Sequence, residues 1–186
     1  DTLDDALSEG VETITVSHGT TKDVNTSFGG AISASSIDTV NTLITDETGS
    51  DTTPATADTV LVSLTGPVSV VEGESTTAYT VSVDTAVPMG STVTVALTYA
   101  GTAQDGTDFT GVTTVTLVGT TATTFTLDTI DDALAEGAET FTVTLGAITD
   151  VSSSFESIVA SSINSVDTVI TDETGSDTTP ATADTV

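Results

Sequence analysis

Positively charged side chains are almost missing from this sequence. Its 186 residues include one lysine, Lys22, and no arginine, whereas 28 residues are aspartate or glutamate, so the formal net charge is −27. Proteins that bind nucleic acid or anionic membranes place lysine and arginine against the phosphates. The composition therefore predicts neither a nucleic-acid partner nor a membrane partner.

Other residue types are also scarce. The chain has no cysteine, which excludes disulfides and thiolate metal sites. No apolar run approaches the ~18 residues of a membrane-spanning helix. The only histidine is His18, whose counterpart in the second copy of an internal repeat is not a histidine, so a Ser–His–Asp triad is not expected. Aromatic residues make up 4% of the chain, too few for a sugar-binding platform. We therefore expect no enzyme activity and no small-molecule substrate.

What is abundant is β-branched residues. The chain has 45 threonines, many of them alternating with valine, leucine or phenylalanine. Residues 60–64 and 93–99 show the period of two that is typical of half-buried strands. Short strands separated by turn residues predict an all-β fold, an antiparallel immunoglobulin-like β-sandwich of about seven strands. The serine-rich stretch 152–162 is predicted to be a loose hairpin.

The sequence repeats itself. Residues 1–16 match residues 128–143 at twelve of sixteen positions, and residues 44–60 recur unchanged as residues 170–186. Tandem repeats of this length predict a string of similar domains. The division is residues 1–47 for the C-terminal part of one repeat, 48–58 for a linker, 59–173 for a complete repeat, and 174–186 for the linker to the next.

The first repeat holds only its final strands. A sandwich that lacks half its strands exposes its core face and its strand edges. We therefore predict that residues 1–47 either borrow strands from a neighbouring chain or pack poorly.

An acidic loop occurs in both copies. In the complete repeat it holds five carboxylates within twelve positions: Asp128, Asp131, Asp132, Glu136 and Glu139. Two like charges about 4 Å apart repel by roughly 1 kcal/mol in water and by several times that near a protein surface. A hard divalent cation that takes six to eight oxygen ligands compensates such a cluster, and Ca²⁺ fits best. The alternative is a solvated charged turn.

The linkers are acidic as well. Their aspartates, which are Asp51, Asp58, Asp177 and Asp184, are candidates for a second ion between repeats. The alternative is that they only keep the chain soluble.

Four motifs carry a resemblance to a known family. They are Val-Glu-Gly-Glu at 71–74, Asp-Gly-Thr-Asp-Phe at 105–109, Ile-Asp-Asp-Ala-Leu-Ala-Glu-Gly-Ala-Glu-Thr-Phe at 130–141, and Val-Ile-Thr-Asp-Glu at 169–173. In this order and at this spacing they resemble the Calx-β repeat, found in sodium–calcium exchangers and in many very large bacterial surface adhesins.

The resemblance implies a two-sheet sandwich with Ca²⁺ bound at the end where one repeat joins the next. Carried over by motif, the ligands of the complete repeat are Glu72, Asp108, Asp131, Asp132, Glu136, Glu139 and Asp172. The matching positions present in the first repeat are Asp4, Asp5, Glu9, Glu12 and Asp46.

The tandem layout, the acidity and the composition also look like the extender region of an RTX-type bacterial adhesin. This likeness implies a calcium-stabilised spacer on the bacterial cell surface, outside the cell, whose partners are the neighbouring repeats of the same chain. Two alternatives stay open: an adhesion module that binds sugar or protein directly, and a Ca²⁺-sensing Calx-β domain.

Overall fold

The computed structural model describes residues 6–8, 10–20, 29, 32, 39–45, 58–131 and 137–172. All regular secondary structure within these ranges is β-strand. The described residues form no helix that is long and apolar enough to cross a membrane.

Two strands belong to the first repeat, and the others to the complete one. The strands of the first repeat are β1 (Glu12–Ser17) and β2 (Thr39–Ile44). The strands of the complete repeat are β3 (Thr59–Thr65), β4 (Ser69–Val71), β5 (Tyr79–Val83), β6 (Thr92–Gly101), β7 (Phe109–Thr110), β8 (Thr114–Val118), β9 (Ala122–Phe125), β10 (Asp128–Thr129), β11 (Glu139–Asp150), β12 (Ser157–Ala160) and β13 (Ser165–Thr171).

The complete repeat folds into two main sheets. One has five strands in the order β4-β13-β11-β6-β8, and the other has four in the order β12-β3-β5-β9. The short strands β7 and β10 form a separate antiparallel pair. This confirms the predicted all-β sandwich. The repeat contains more strand segments than the seven predicted, because several are only two to four residues long.

Two segments of the chain cross from one sheet to the other. The first passes from β3 to β4 through Gly66 and Pro67, and the second passes from β12 to β13 through residues 161–164. Both segments run from the same end of the sandwich towards the other. The strands before them, β3 and β12, therefore pair in parallel, and so do the strands after them, β4 and β13. The predicted loose hairpin at 152–162 is therefore wrong: its second half is a parallel edge strand.

The core follows the alternation seen in the sequence. Along β3, Val60, Val62 and Leu64 are buried between more exposed neighbours. Two aromatic pairs fill the interior, with ring centroids 5.0 Å apart for Tyr79 and Phe125 and 4.4 Å apart for Phe109 and Phe141. The first pair joins the neighbouring strands β5 and β9 within the four-stranded sheet, and the second joins the short strand β7 to β11 of the five-stranded sheet.

Strands β1 and β2 form an antiparallel pair that lies apart from the two main sheets. Their apolar side chains are largely in contact with solvent; Val16, for example, is 61% exposed. How residues 1–47 complete their fold stays a prediction.

The sandwich has two ends, which differ in the strands that begin and finish there. At the entry end, β3 and β12 begin and β11 finishes. At the exit end, β4 and β13 finish and β11 begins. The chain therefore enters the complete repeat at one end and leaves it at the other.

Candidate metal centre at the exit end

Three neighbouring strands align their side chains at the exit end. In the register of the five-stranded sheet, Val70 of β4, Ile170 of β13 and Glu139 of β11 form one row across the strands. Glu72 and Asp172 follow two positions beyond Val70 and Ile170. Because side chains along a strand alternate with a period of two, Glu72 and Asp172 extend the same face as those two apolar residues.

That face is the inner face of the sandwich. Val70 and Ile170 are buried, and so is Phe141, two positions after Glu139. Glu72 itself is only 7% exposed. The sequence thus places carboxylates where the pattern of each strand would otherwise continue with core residues. Burying a carboxylate is costly unless it is paired or bound to a metal.

The opposite wall of the site comes from the β7–β10 pair. Asp108 directly precedes Phe109, which is fully buried and stacks on Phe141. The Asp108 carbonyl accepts a hydrogen bond from the Ile130 N–H at 2.9 Å, which joins this turn to the start of the acidic loop. The buried ring and this hydrogen bond hold Asp108 at the rim of the core.

The two walls enclose one small pocket. Its lining residues are Glu72, Asp108, Ile130, Gly137, Glu139, Ile170 and Asp172. Four of the seven carry a carboxylate. Asp131 follows Ile130 in the chain, and its Oδ1 atom is buried. The pocket lining therefore combines carboxylates with the apolar side chains of Ile130 and Ile170.

Backbone N–H groups hold two of these carboxylates in position. The Gly137 N–H donates to Asp172 Oδ2 at 3.1 Å, and the Gln104 N–H donates to Asp108 Oδ2 at 2.6 Å. Gly137 has a φ of 78°, a left-handed conformation that glycine adopts at little cost. Each carboxylate has about four lone-pair positions, so one such hydrogen bond leaves capacity for a cation.

The donor set suits a hard cation. The complete repeat has no lysine, arginine or histidine, so no basic side chain of its own can neutralise the pocket. Within the ranges that the structure describes, no three of these acidic groups are close enough together to hold an ion by themselves. A bound ion would have to draw the pocket carboxylates closer or use further ligands. Carboxylate and carbonyl oxygens are the ligands that Ca²⁺ takes.

The structure brings together four of the predicted ligands, Glu72, Asp108, Glu139 and Asp172, with Asp131 next to the pocket in the chain. Asp132 and Glu136 lie outside the described residues, as do Asp4, Asp5, Glu9 and Asp46 of the first repeat. Glu12 is exposed at the start of β1. Asp128 does not line the pocket: it accepts a hydrogen bond from the Ser75 hydroxyl.

Some residues that shape the site were not predicted from the sequence. Ile130, Ile170 and Gly137 line the pocket without carrying a charge. Asp105 accepts a hydrogen bond from the Gly111 N–H at 2.7 Å and so braces the turn before Phe109. A Cβ atom at Gly111 would lie 2.6 Å from the Asp105 carboxylate, which explains glycine there. The aspartate and glycines at 105, 106 and 111 were the sequence feature that could have indicated this turn.

Calx domains are among the solved structures that share this fold. The apo-form Calx CBD1 domain is 20% identical in sequence, with a TM-score of 0.50, and the match covers 62% of this chain and 98% of that domain. The Calx CBD2 domain is 11% identical, also with a TM-score of 0.50, over 60% of this chain and 86% of that domain. At such identities the likeness shows the shared sandwich fold. No protein-family model matches the sequence, and no curated protein does so.

Proposed function

We propose that the complete repeat is a calcium-binding sandwich that serves as a spacer in a long chain of similar repeats. The observation that carries this proposal is the pocket at the exit end, which Glu72, Asp108, Glu139 and Asp172 line without a basic residue. The fold shared with Calx domains supports it. Asp131, Asp132 and Glu136 belong to the same proposed ligand set, the last two on sequence alone.

The position of the pocket suggests how the ion acts. Asp172 directly follows the last strand, and the linker to the next repeat begins at residue 174. A cation at this point neutralises repulsion between carboxylates from three strands and one turn. The exit end of the repeat then becomes stiffer, because carboxylates that would repel each other bind the same ion. The acidic loop of the first repeat, with Asp4, Asp5, Glu9 and Glu12, would act in the same way, together with Asp46.

The cellular role is the second half of the proposal. Nearly identical tandem repeats with strong acidity favour an extender of a secreted bacterial surface adhesin, which projects a distal binding region from the cell. Extracellular calcium modules bind at about 10⁻⁴–10⁻³ M, so the calcium outside a cell is enough. Such a spacer has no catalytic task.

Thermal melting with and without calcium tests the ion. With calcium at about 100 times its dissociation constant, binding to the folded state adds about 2.7 kcal/mol. For a domain of this size the melting temperature would rise by roughly 10 °C or more. Glu72→Gln and Asp172→Asn should each remove most of this rise. Identical melting in calcium and in chelator would contradict the proposal.

The matched control is Asp167→Asn. It removes the same charge from the same sheet, and asparagine is the residue at the equivalent position of the first repeat, Asn41. There, Asn41 Oδ1 accepts from the Thr15 hydroxyl as Asp167 Oδ1 accepts from Thr142. This variant should keep the full calcium response.

The likeness to Calx domains favours a second candidate, a calcium sensor. A sensor changes shape over a narrow range of calcium concentration, whereas a spacer becomes stiffer and keeps its shape. Small-angle scattering from the chain during a calcium titration separates the two. For the spacer, we expect a narrower distribution of maximum dimensions with calcium and an unchanged fold. A change in the average shape of the complete repeat itself would favour the sensor.

A further inference from the structure

Residues 6–8 of the first repeat contact the sandwich at its entry end, the end opposite the carboxylate pocket. The Ser8 N–H donates to the Ser154 carbonyl at 3.1 Å, and the Glu156 N–H donates to the Ala6 carbonyl at 3.2 Å. Between these two hydrogen bonds, Leu7 faces Phe155 in an antiparallel bridge. Residues 6–8 belong to the acidic loop of the first repeat, so this loop contacts the repeat that comes after it in the chain.

The geometry places the two apolar side chains together. The hydrogen bonds on both sides of the Leu7–Phe155 pair, from Ser8 to Ser154 and from Glu156 to Ala6, are the pattern of a non-hydrogen-bonded antiparallel pair. In such pairs the Cα atoms are about 4.5 Å apart and the side chains approach most closely. Phe155 is buried, and Ala6 and Leu7 pack against the core cluster. The contact therefore combines backbone pairing with apolar burial.

The receiving loop, residues 151–156, is held in shape by Asp150. Its Oδ2 atom accepts from the N–H groups of Ser154 and Phe155, and its Oδ1 atom accepts from the Ser152 N–H at 3.1 Å. Ser153 has a φ of 52°, in the left-handed region that non-glycine residues rarely occupy. A surface that is already ordered loses little conformational entropy when a partner binds.

The linker reaches the same loop. The N–H of Asp58, the last linker residue, donates to Glu156 Oε2 at 2.7 Å. Both connections to the preceding repeat, the covalent linker and the acidic loop, thus converge on residues 151–156.

Both halves of the contact occur in both copies of the repeat sequence. The Ala-Leu pair at 6–7 recurs at 133–134. The receiving loop, with its aspartate, serine and phenylalanine at 150, 154 and 155, recurs with the same three residue types and spacing over residues 23–28.

We propose that each acidic loop docks, through its Ala-Leu pair, onto the entry-end loop of the next repeat in the chain. The partner surface is therefore another copy of the same repeat, and neighbouring repeats meet through protein contact as well as through the linker. The loop that docks is also the loop that carries the proposed calcium ligands. Any coupling between the ion and the orientation of the next repeat rests on the proposed function; the docking contact does not.

Amide hydrogen exchange on the whole chain tests the docking. We expect Leu7→Ser to lower the protection of the Glu156 amide about tenfold, because its acceptor, the Ala6 carbonyl, is no longer held in place. The control is Leu43→Ser, which changes an exposed leucine of the same repeat and should leave Glu156 unaffected. A nuclear Overhauser contact between Leu7 methyls and the Phe155 ring should be present only in the wild type and in this control. Equal exchange at Glu156 in all three proteins would overturn the proposal.

A second variant approaches the contact from the other side. Asp150→Asn weakens the loop that receives Leu7, so it should also reduce the Leu7–Phe155 contact, whereas Asp167→Asn should not. The urea midpoint from tyrosine fluorescence checks that the sandwich is intact, since both tyrosines, Tyr79 and Tyr99, lie in the complete repeat. A Leu7–Phe155 contact that is unchanged in a folded Asp150→Asn protein would count against the proposal.

Running both sets in calcium and in chelator separates this inference from the proposed function. If calcium leaves melting unchanged while Leu7→Ser still exposes Glu156, the calcium proposal fails and the docking stands. If calcium raises melting while Leu7→Ser has no effect on Glu156, the docking fails and the calcium proposal stands.

Discussion

The same pair of strands occurs twice in this chain, in two different surroundings. Strands β1 and β2 of the first repeat correspond in sequence to β11 and β13 of the complete repeat. Glu12 pairs with Ile44 as Glu139 pairs with Ile170, and the register stays equivalent through the six paired positions. The exposed hydrogen bond from Thr15 to Asn41 also has its equivalent, from Thr142 to Asp167.

What differs is the burial of the pair. Ile14 is 46% exposed, whereas its counterpart Phe141 is 0% exposed, and Val16 and Val143 differ in the same way. The residues that cover this face in the complete repeat come from strands that the first repeat does not have within this sequence. Strand register is therefore specified by the local sequence of the two strands, whereas burial depends on distant parts of the chain.

The largest effect should come from giving the first repeat its missing strands. Residues 60–127 placed directly before Asp1 recreate a full repeat, because residues 1–16 match residues 128–143. We expect the amides of β1 to become protected from hydrogen exchange by on the order of 1,000-fold or more, as they join a cooperative core. The measurement is exchange at Thr13 and Thr15 in the original and the extended chain. Unchanged exchange would show that the exposed pair does not belong to a sandwich.

Truncation to alanine should destabilise the complete repeat much more than the same change at the equivalent position of the first repeat. Phe141→Ala leaves a cavity beneath the pocket and should destabilise the complete repeat by about 3–5 kcal/mol. Ile14→Ala removes an exposed side chain and should change the free energy of unfolding by less than about 0.5 kcal/mol. Urea unfolding followed by tyrosine fluorescence measures Phe141→Ala, and amide exchange in β1 and β2 measures Ile14→Ala, because the first repeat has no tyrosine. Comparable losses in the two variants would contradict the assigned burial.

Removing a buried hydroxyl should give a smaller difference in stability between the two repeats. Thr168 is fully buried, its hydroxyl donates to the Pro67 carbonyl at 2.8 Å, and it accepts from the Tyr79 hydroxyl. Thr168→Val leaves both partners unsatisfied and should cost about 1–3 kcal/mol. Thr42→Val, at the equivalent exposed position of the first repeat, should be nearly neutral. The same urea series measures Thr168→Val, and amide exchange in β1 and β2 measures Thr42→Val. A neutral Thr168→Val would mean that water replaces the lost hydrogen bonds.

The smallest contrast is a dependence on alkaline pH that only the complete repeat should show. Burial raises the pKa of Tyr99 to about 12, and its hydroxyl donates to the Val112 carbonyl at 2.7 Å. The folded state therefore favours the neutral phenol. This stabilisation is fully present below the unfolded value of about 10 and is lost as the pH rises from about 10 to about 12.

Urea midpoints between pH ~9 and ~11 should therefore fall less steeply in Tyr99→Phe than in the wild type. Amide exchange in β1 and β2 should show no step over this range beyond the normal base catalysis, since the first repeat has no tyrosine. An equally steep fall in the variant would assign the alkaline loss to other groups.

Much of the fold can be predicted from the sequence. The period of two in residues 60–64 and 93–99 predicts strands that the structure contains, and the Gly66-Pro67 break separates β3 from β4. The parallel pairing of β12 with β3 was not predictable in this way. The serine-rich stretch that contains β12 has no clear alternation of apolar and polar residues. A local sequence pattern also cannot indicate pairing with a strand about 100 residues away.

The site was predictable in part. Alternation explains why Glu72 and Asp172 lie on the core face, but only the register of β4, β13 and β11 places them at the same end of the sheet as Glu139. Ile130 and Ile170 look like ordinary core residues in the sequence, so their place in the pocket had no signal. The docking of Leu7 on Phe155 joins residues about 150 positions apart, beyond the reach of any sequence pattern.

The most direct test of the central claim is a crystal structure grown with millimolar calcium, with anomalous data that locate the ion. We expect an anomalous peak in the exit-end pocket, from a calcium ion coordinated by oxygens of Glu72, Asp108, Glu139 and Asp172. Well-defined water in that pocket, with no anomalous signal, would contradict it.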